Sequence, residues 1–413
     1  MSPAHPTTRR PRGFLAFAAA AAAVVIGASG CSIDLSEFRP GSGGEEPSPS
    51  PTPVKAAPLL QSALDSLREQ PAAAVQGQVS KSENSAVSDV SLTTTDGGTT
   101  SGTVQTNENE AEVVQADGKL FAKAPDAFWL DKNITNPDAG GYPNSWVRLS
   151  GDQLGVDPAS MLAPTALADI LGSMAPGGGK AKLENLDGTT AYRVDLQGGE
   201  SSRVWIGEES GQLLRAEIEQ LGPEGADSGP RARLDFTVPE RPDVQTVYED
   251  VLAVAQDGLK GSPDARMPVD WSGQLSLECQ TGGACEVAGT AEDTSSGGSG
   301  GDGDGDGASV TVRMEATVEN EELGSKDCSD SATLKAGGTA DLSCGVDFSL
   351  EPSASPVSYD VSGGARLSTS ALSGDARKNL VSAVEEERDT ALDGPSPSGD
   401  ASESPVAEES AGG

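Results

Sequence analysis

The sequence predicts an α+β domain, in which helices cover an antiparallel sheet, followed by an all-β, disulfide-containing, sandwich-like domain. Short runs in which apolar and polar residues alternate, bounded by Gly, Asp or Asn, recur from residue 75 onwards, with a few segments of helical periodicity among them. Four of the five cysteines lie in the later strand-rich region, 259–367. Aromatic residues make up only 4% of the chain, so we also expect long disordered segments.

Residues 1–30 have the composition of a signal peptide, so we exclude them from the fold. Arginines precede an apolar run, 14–26, that is too short to span a bilayer and ends in small residues. The tetrapeptide Ala-Ser-Gly-Cys at 28–31 has the pattern of a lipobox, in which the cysteine is diacylated and becomes the mature N-terminus. An ordinary cleaved signal with an incidental cysteine is the alternative. We therefore expect an extracytoplasmic protein held at the cell membrane by two acyl chains on Cys31.

Three segments have compositions that oppose a packed core. Residues 31–55 are rich in Pro, Gly, Ser and Glu, residues 290–308 in Ser, Gly and Asp, and residues 391–413 in Ser, Pro and acidic residues. We expect a disordered tether, a disordered insertion and a disordered acidic tail, with a short helix, 368–390, before the tail. Alternate aspartates in the insertion copy half of a calcium-binding loop. Arg313 stands where such a loop needs a glutamate, so solvated charge is the simpler interpretation, with weak calcium binding as the alternative.

The net charge of the chain excludes several classes of partner. There are 64 acidic and 28 basic residues, which gives a formal net charge of −36 at pH 7. A surface of this charge repels nucleic acid and anionic lipid headgroups. We expect no nucleic-acid partner, and we expect the protein to meet the membrane through its lipid anchor rather than through its surface.

Helical periodicity marks three places in the first domain, 56–258. Leucine and alanine recur at helical spacing over 59–67. An Asp-Pro pair at 157–158 can begin a second helix, which Pro164 divides in two. A third apolar stripe, 244–255, predicts a linker helix at the end of the domain.

Strand-like segments fill the rest of this domain, and the clearest hairpin has Asp117-Gly118 at its turn. Asp-Gly can adopt the two positive-φ positions that match the twist of the flanking strands. Further strands are predicted around 185–194, 204–206 and 213–218. The domain is thus predicted to be an antiparallel meander that carries a few helices.

Five motifs follow one another along this domain: Asp-Gly-Lys-Leu-Phe at 117–121, Phe128-Trp129, Asp-Pro at 157–158, Asp-Gly-Thr-Thr-Ala-Tyr at 187–192 and Val-Trp-Ile at 204–206. In this order they resemble the LolA-like lipoproteins of the LppX/LprG group from actinobacteria, over about residues 56–240. The motifs contain no catalytic signature. In that family a strongly curved antiparallel sheet forms a half-barrel, helices cover its concave face, and the cavity between them holds the acyl chains of a lipid.

The resemblance implies that this protein binds or carries a lipid or another hydrophobic ligand in such a cavity. The alternative is a non-enzymatic structural or adhesion protein whose sheet has no ligand cavity. A residue that lines a cavity and one that fills a core look alike in a sequence. Empty space beneath the helices at 157–174 would therefore distinguish the ligand-binding protein from the structural or adhesion protein. The candidate lining residues, each of which is otherwise plain core, are Phe121, Trp129, Leu162, Leu167, Ile170, Leu171, Tyr192, Trp205 and Leu214.

The four later cysteines are Cys279, Cys285, Cys328 and Cys344. They allow three pairings, and proximity in an oxidising compartment favours Cys279 with Cys285 and Cys328 with Cys344. A zinc site of four thiolates is the alternative, but the C-x-x-C spacings typical of such sites are absent. Alternating runs at 310–318 and 340–346 suit an immunoglobulin-like sandwich.

Catalytic chemistry finds little support in the sequence. The single histidine, His5, lies in the signal peptide, so the remaining chain lacks the usual general base and the usual ligand of catalytic zinc. A match to G-x-S-x-G at 297–301 lies in the low-complexity insertion, and S-x-x-K does not occur. The many acids do not single out a carboxylate pair. We therefore expect a protein that is not an enzyme and that needs no metal or cofactor.

Overall fold

The computed structural model describes residues 54–393 except 83–84, 135–140, 200, 224, 227, 296–308 and 354. Several sequence predictions fall outside these described residues. They are the signal peptide, the acylated Cys31, most of the tether, most of the insertion and nearly all of the acidic tail.

Within the described residues, eleven strands form one antiparallel sheet in the order β6-β5-β4-β3-β2-β1-β11-β10-β9-β8-β7. The pairing of β1 with both β2 and β11 joins two meanders and leaves β6 and β7 at the edges. The strands are β1 Ala72–Ser80, β2 Val87–Thr95, β3 Thr100–Thr106, β4 Asn109–Ala116, β5 Lys119–Lys123, β6 Trp146–Leu149, β7 Lys182–Leu186, β8 Thr189–Asp195, β9 Arg203–Gly207, β10 Leu213–Ile218 and β11 Arg231–Thr237.

Two hairpins of this sheet turn on Asp-Gly pairs. Asp117 and Gly118, between β4 and β5, have φ angles of 49° and 67°, and Asp187 and Gly188, between β7 and β8, have φ angles of 51° and 98°. Two consecutive positive φ angles are the backbone of the turn that matches the right-handed twist of paired strands. The predicted hairpin at Asp117-Gly118 is therefore present.

Helices pack on both faces of the sheet. We call the face that carries Val75 and Val113 the inner face and the face that carries Phe121 and Trp205 the outer face. Five helices cover the inner face, and their buried side chains join the strands in one core. They are α1 Ala56–Arg68, α2 Asp126–Asp131, α3 Gly151–Leu154, α4 Pro158–Met161 and α5 Pro164–Ser173.

Two longer helices cover the β3–β5 part of the outer face. Helix α6, Arg241–Ala253, continues into a π-helical turn, Val254–Gly258, and packs beside α7, Gly374–Asp393. Their apolar side chains form a second core with strand residues that include Val114 and Phe121. The predicted linker helix is thus a layer of the sheet domain. The predicted short helix at 368–390 begins later, because the preceding strand continues to Ser370.

A second sheet region follows α6 and consists of two sheets around a shared core. One sheet has the order β12-β14-β13 with β17 also paired to β14, and the other has the order β16-β15-β18. Strand β14 extends to Asp293, past the predicted start of the insertion, because Ala291 is buried in this core. The strands are β12 Val269–Trp271, β13 Ser276–Cys279, β14 Ala284–Asp293, β15 Ser309–Asn320, β16 Gly324–Lys335, β17 Thr339–Asp347 and β18 Ser362–Ser370.

Two disulfides join strands of this region. Cys279 and Cys285 are paired residues of the β13–β14 hairpin, with their Cα atoms 4.0 Å apart. Cys328 of β16 and Cys344 of β17 have Cα atoms 5.8 Å apart and lie in different sheets, so this bond links one sheet to the other.

Candidate functional site: the inner face of the sheet

The inner face of the eleven-stranded sheet is a continuous apolar surface of mostly small side chains. Residues paired across antiparallel strands project to the same side, so each row of pairs lies on one face. One such row runs across six strands through Phe236, Val75, Leu92, Gly102, Val113 and Ala122. A second row runs through Leu234, Ala216, Val204 and Val194.

A layer of short helices covers this surface. Leu64 of α1 and Leu171 of α5 are fully buried between the helices and the strands. Helix α1 packs beside α5, and Arg68 of α1 forms a 3.0 Å ion pair with Asp169 of α5. These two helices therefore form one unit that lies on the sheet.

Five of the nine sequence-predicted candidates lie on the inner-face helices, or directly after one, and are buried in the core between helices and strands. They belong to one core, and none is more than 3% exposed. A side chain with so little exposed surface has no water-sized space beside it, so the region around all five is filled by protein atoms. The five residues are Trp129, Leu162, Leu167, Ile170 and Leu171.

The other four candidates lie elsewhere. Phe121 pairs with Val114 and packs against α6 on the outer face. Trp205 also lies on the outer face, where the Arg203 guanidinium stands 5.3 Å from its ring and its indole N–H donates to Glu184. Tyr192 pairs with Ile206 and is a half-buried residue of the inner face. Leu214 occupies the irregular position of β10 where the pairing with β9 shifts.

A crevice of about 30 Å³ opens at the C-terminal end of α1, between this helix and strands β10 and β11. Apolar residues and a few polar ones line it, and Val238 at its rim is 41% exposed. The volume is close to that of one water molecule in the liquid. Its lining includes Ala63, Ser66, Leu67, Ala73, Leu213 and Phe236.

Three aromatic rings meet at the α2 end of the inner face. Trp129 makes edge-to-face contacts with Phe128 and Tyr142, with ring centroids 5.4 Å and 5.7 Å apart. The buried Trp129 indole N–H has no acceptor among the described residues. A buried N–H without an acceptor costs about 1–3 kcal/mol, so a water or the polar end of a ligand would stabilise it.

A serine and a lysine that are far apart in the sequence meet at the same end of the sheet. Lys132 Nζ lies 3.0 Å from Ser88 Oγ and donates to the Leu154 carbonyl at 2.7 Å. Burial lowers the pKa of Lys132 to about 8, and Asp131 opposes part of that shift. Ser88 is 2% exposed and shares a hydrogen bond with Thr106, so no substrate carbonyl can approach its hydroxyl. The pair closes the C-terminal end of α3 and is not a nucleophile with its base.

A larger groove, of about 340 Å³, lies in the second sheet region and was not predicted from the sequence. Its lining is mostly polar. Asp330 accepts the Ser343 backbone N–H at 2.9 Å, and Asp341 accepts the Thr290 hydroxyl at 2.7 Å. Both carboxylates thus have partners within the fold, and strand alternation gives no signal for a groove of this kind.

The part of the chain that the structure describes contains neither a metal-binding cluster nor a membrane-spanning helix. No cluster of three or more histidine, cysteine or acidic side chains is arranged to hold a metal ion there. No helix in the same residues combines the length and the apolarity needed to cross a bilayer.

Comparison with known proteins does not assign the chain to a family. No protein-family model matches the sequence, and no curated protein matches it. Among solved structures, the chain is similar to LprF from Mycobacterium bovis, at 13% sequence identity and a TM-score of 0.29, over 45% of this chain and 96% of that one. A TM-score this low does not establish a shared fold, so the function is inferred from the geometry of the chain itself.

Proposed function

We propose that the protein is a membrane-anchored, extracytoplasmic lipoprotein whose first domain binds a lipid or another hydrophobic ligand on the inner face of its sheet. The observation that carries this proposal is the pairing of a wide apolar sheet face with a helical layer in which α1 and α5 pack beside each other. Such a layer can separate from the sheet as a unit without breaking strand hydrogen bonds. The sheet would then have the half-barrel shape of lipid-carrying lipoproteins.

Ligand binding requires the helical layer to move, because the inner face is filled by side chains. The crevice beside α1 is the point where the layer already stands off the strands. An acyl chain that enters there would replace contacts of Leu64 and Leu171 with the sheet by contacts of equal apolarity. The acyl chain would then meet Leu162, Leu167 and Trp129.

Uptake of a fatty acid tests this proposal. We expect delipidated protein to bind palmitic acid, observed by native mass spectrometry as a mass increase of one or two fatty acids. Ser66→Phe places a ring in a crevice of about 30 Å³ and should slow uptake at least tenfold. The matched control is Ser62→Phe, one turn earlier on α1 at an exposed position outside the crevice, which should bind as the unmodified protein does. Equal rates of palmitic acid uptake in the two variants would contradict entry of the ligand through the crevice beside α1.

A second candidate function is surface display without a ligand. The filled inner face favours it, because ligand pockets usually enclose about 300–1,000 Å³ and the crevice beside α1 has about 30 Å³. On this interpretation the five buried candidates are core and nothing more. Unmodified protein that neither carries a lipid when purified nor takes up palmitic acid would select this function.

A further inference from the structure

Two lysines face each other where the chain enters the first domain. Lys55 and Lys180 form an isolated antiparallel bridge. The Ala181 N–H donates to the Val54 carbonyl at 3.0 Å, and the Ala56 N–H donates to the Gly179 carbonyl at 3.2 Å. This pattern makes the lysines a non-hydrogen-bonded pair, the arrangement that brings cross-strand side chains closest together. Like charges in such positions repel and destabilise the pairing.

Neither lysine has a carboxylate partner among the described residues, and both are exposed. Lys182 projects to the same side two residues further on, opposite Arg193. The carboxylates nearest in the ladder are already engaged, because Asp195 pairs with Lys182 at 3.1 Å and with Arg193 at 3.0 Å. We call Lys55, Lys180 and Lys182 the basic corner. Lys182 is thus paired, whereas Lys55 and Lys180 are uncompensated positive charges in a protein of net charge −36.

The position of the basic corner relates it to the membrane. It lies at the edge strand β7 and includes the second described residue of the chain, so it directly follows the predicted tether, 31–55. Twenty-four positions separate Cys31 from Lys55. A flexible chain of that length has an average end-to-end distance of roughly 30 Å. A surface held so near its partner experiences an effective concentration of the order of millimolar.

We propose that the basic corner docks on the anionic headgroups of the membrane in which Cys31 is anchored. Phosphate groups between Lys55 and Lys180 remove the electrostatic repulsion between the two lysines. The rest of the acidic protein is repelled by the same surface, so docking orients the domain with its β7 edge towards the bilayer. This inference rests on the anchor proposed above and does not depend on ligand binding at the inner face.

Hydrogen exchange on vesicles tests the docking. Acylated protein purified from membranes is reconstituted on vesicles of phosphatidylcholine alone or with 30% phosphatidylglycerol, and the exchange of amides in residues 179–186 is measured. Edge-strand amides that face outward lack strand partners, so a docked membrane should shield them. We expect exchange at least fivefold slower on the anionic vesicles, with the difference lost in 0.5 M salt.

Two double variants distinguish the effect of the basic corner from the effect of the protein's net charge. Lys55→Gln with Lys180→Gln should abolish the difference, since each lysine near an anionic surface changes partitioning by about fivefold. The control variant, Lys260→Gln with Lys335→Gln, loses the same charge at exposed lysines elsewhere. It should keep the difference in exchange between the two kinds of vesicle. Equal exchange on both vesicles would overturn the proposal, as would equal shielding by inorganic phosphate on neutral vesicles. A protein that floats with neither vesicle contradicts the anchor as well, whereas failure to bind palmitic acid leaves the docking intact.

Discussion

Lys132 places its ammonium group inside the protein, beside the inner face of the sheet. Its Nζ atom has two hydrogen-bond acceptors and lies 5.7 Å from the centre of the Phe128 ring. Burial is the main cause of the lowered pKa, so the folded protein holds this proton less tightly than the unfolded chain does. The cost of the buried charge is therefore present below pH 8 and disappears when the unfolded chain also loses the proton, above about pH 10.4.

Because the pKa of Lys132 is lower in the folded protein than in the unfolded chain, the free energy of unfolding should rise with pH. Between pH 8 and pH 10 the Lys132 contribution should increase the free energy of unfolding by about 1–2 kcal/mol, less than the full shift because part of the side chain meets solvent. Lys132→Met should remove that rise, whereas Lys260→Met, at an exposed position, should keep it. Urea unfolding at several pH values measures both. If the free energy of unfolding of Lys132→Met depended on pH as that of the unmodified protein does, the Lys132 ammonium would be solvated.

Phe121 and Trp205 show what alternation in a sequence can and cannot predict. A strand period of two separates side chains into two sets but does not say which set faces which layer. In β5 the residues Leu120, Phe121 and Ala122 are all buried, because helices cover both faces there. Trp205 lies among charged residues at the β7–β10 end of the outer face, where its ring packs against Arg203. The placement of Phe121 could not be predicted without the tertiary position of α6 and α7.

At the scale of elements, local chemistry predicted the turns and most of the helices. Two of these predictions depend only on the backbone preferences of the residues themselves. They are the Asp-Gly turn and the division of the inner helices at Pro164, and the structure has both. The place of α7 depends on a contact between residues almost three hundred positions apart, which no local pattern contains. Its Glu387 accepts hydrogen bonds from Thr95, Thr99 and Tyr248 of the sheet domain.

Glu387 should therefore hold α7 on the outer face. Replacement by Ala leaves three hydroxyl groups without their acceptor, and we expect a loss of about 2–3 kcal/mol in the free energy of unfolding, with faster amide exchange in α7. Glu386→Ala is the matched control, because its exposed neighbouring side chain should change stability by less than about 0.5 kcal/mol. Equal effects of the two variants in urea unfolding would mean that Glu387 does not contribute to docking.

At the scale of the molecule, the chain leaves the sheet domain through α6, forms the second sheet region and returns to the sheet domain as α7. A buried charge cluster joins the two parts. Asp264, 1% exposed, receives the guanidinium of Arg266 at 2.8–3.3 Å and lies 3.9 Å from Arg148 of β6. Breaking a buried pair is costly, so this cluster fixes where the second region attaches. Alternation and cysteine spacing predicted the second region, but the sequence gives no signal for this joint.

The most direct test of the central claim is photo-crosslinking with a palmitic acid that carries a diazirine in the middle of its chain. Peptide mapping of the irradiated complex locates the acyl chain without any substitution in the protein. Binding on the inner face predicts labelled peptides from α4–α5 and from the strands that carry Val75 and Ile206. Labelling confined to the outer face around Trp205 or to the second sheet region, or no labelling above that of denatured protein, would contradict the claim.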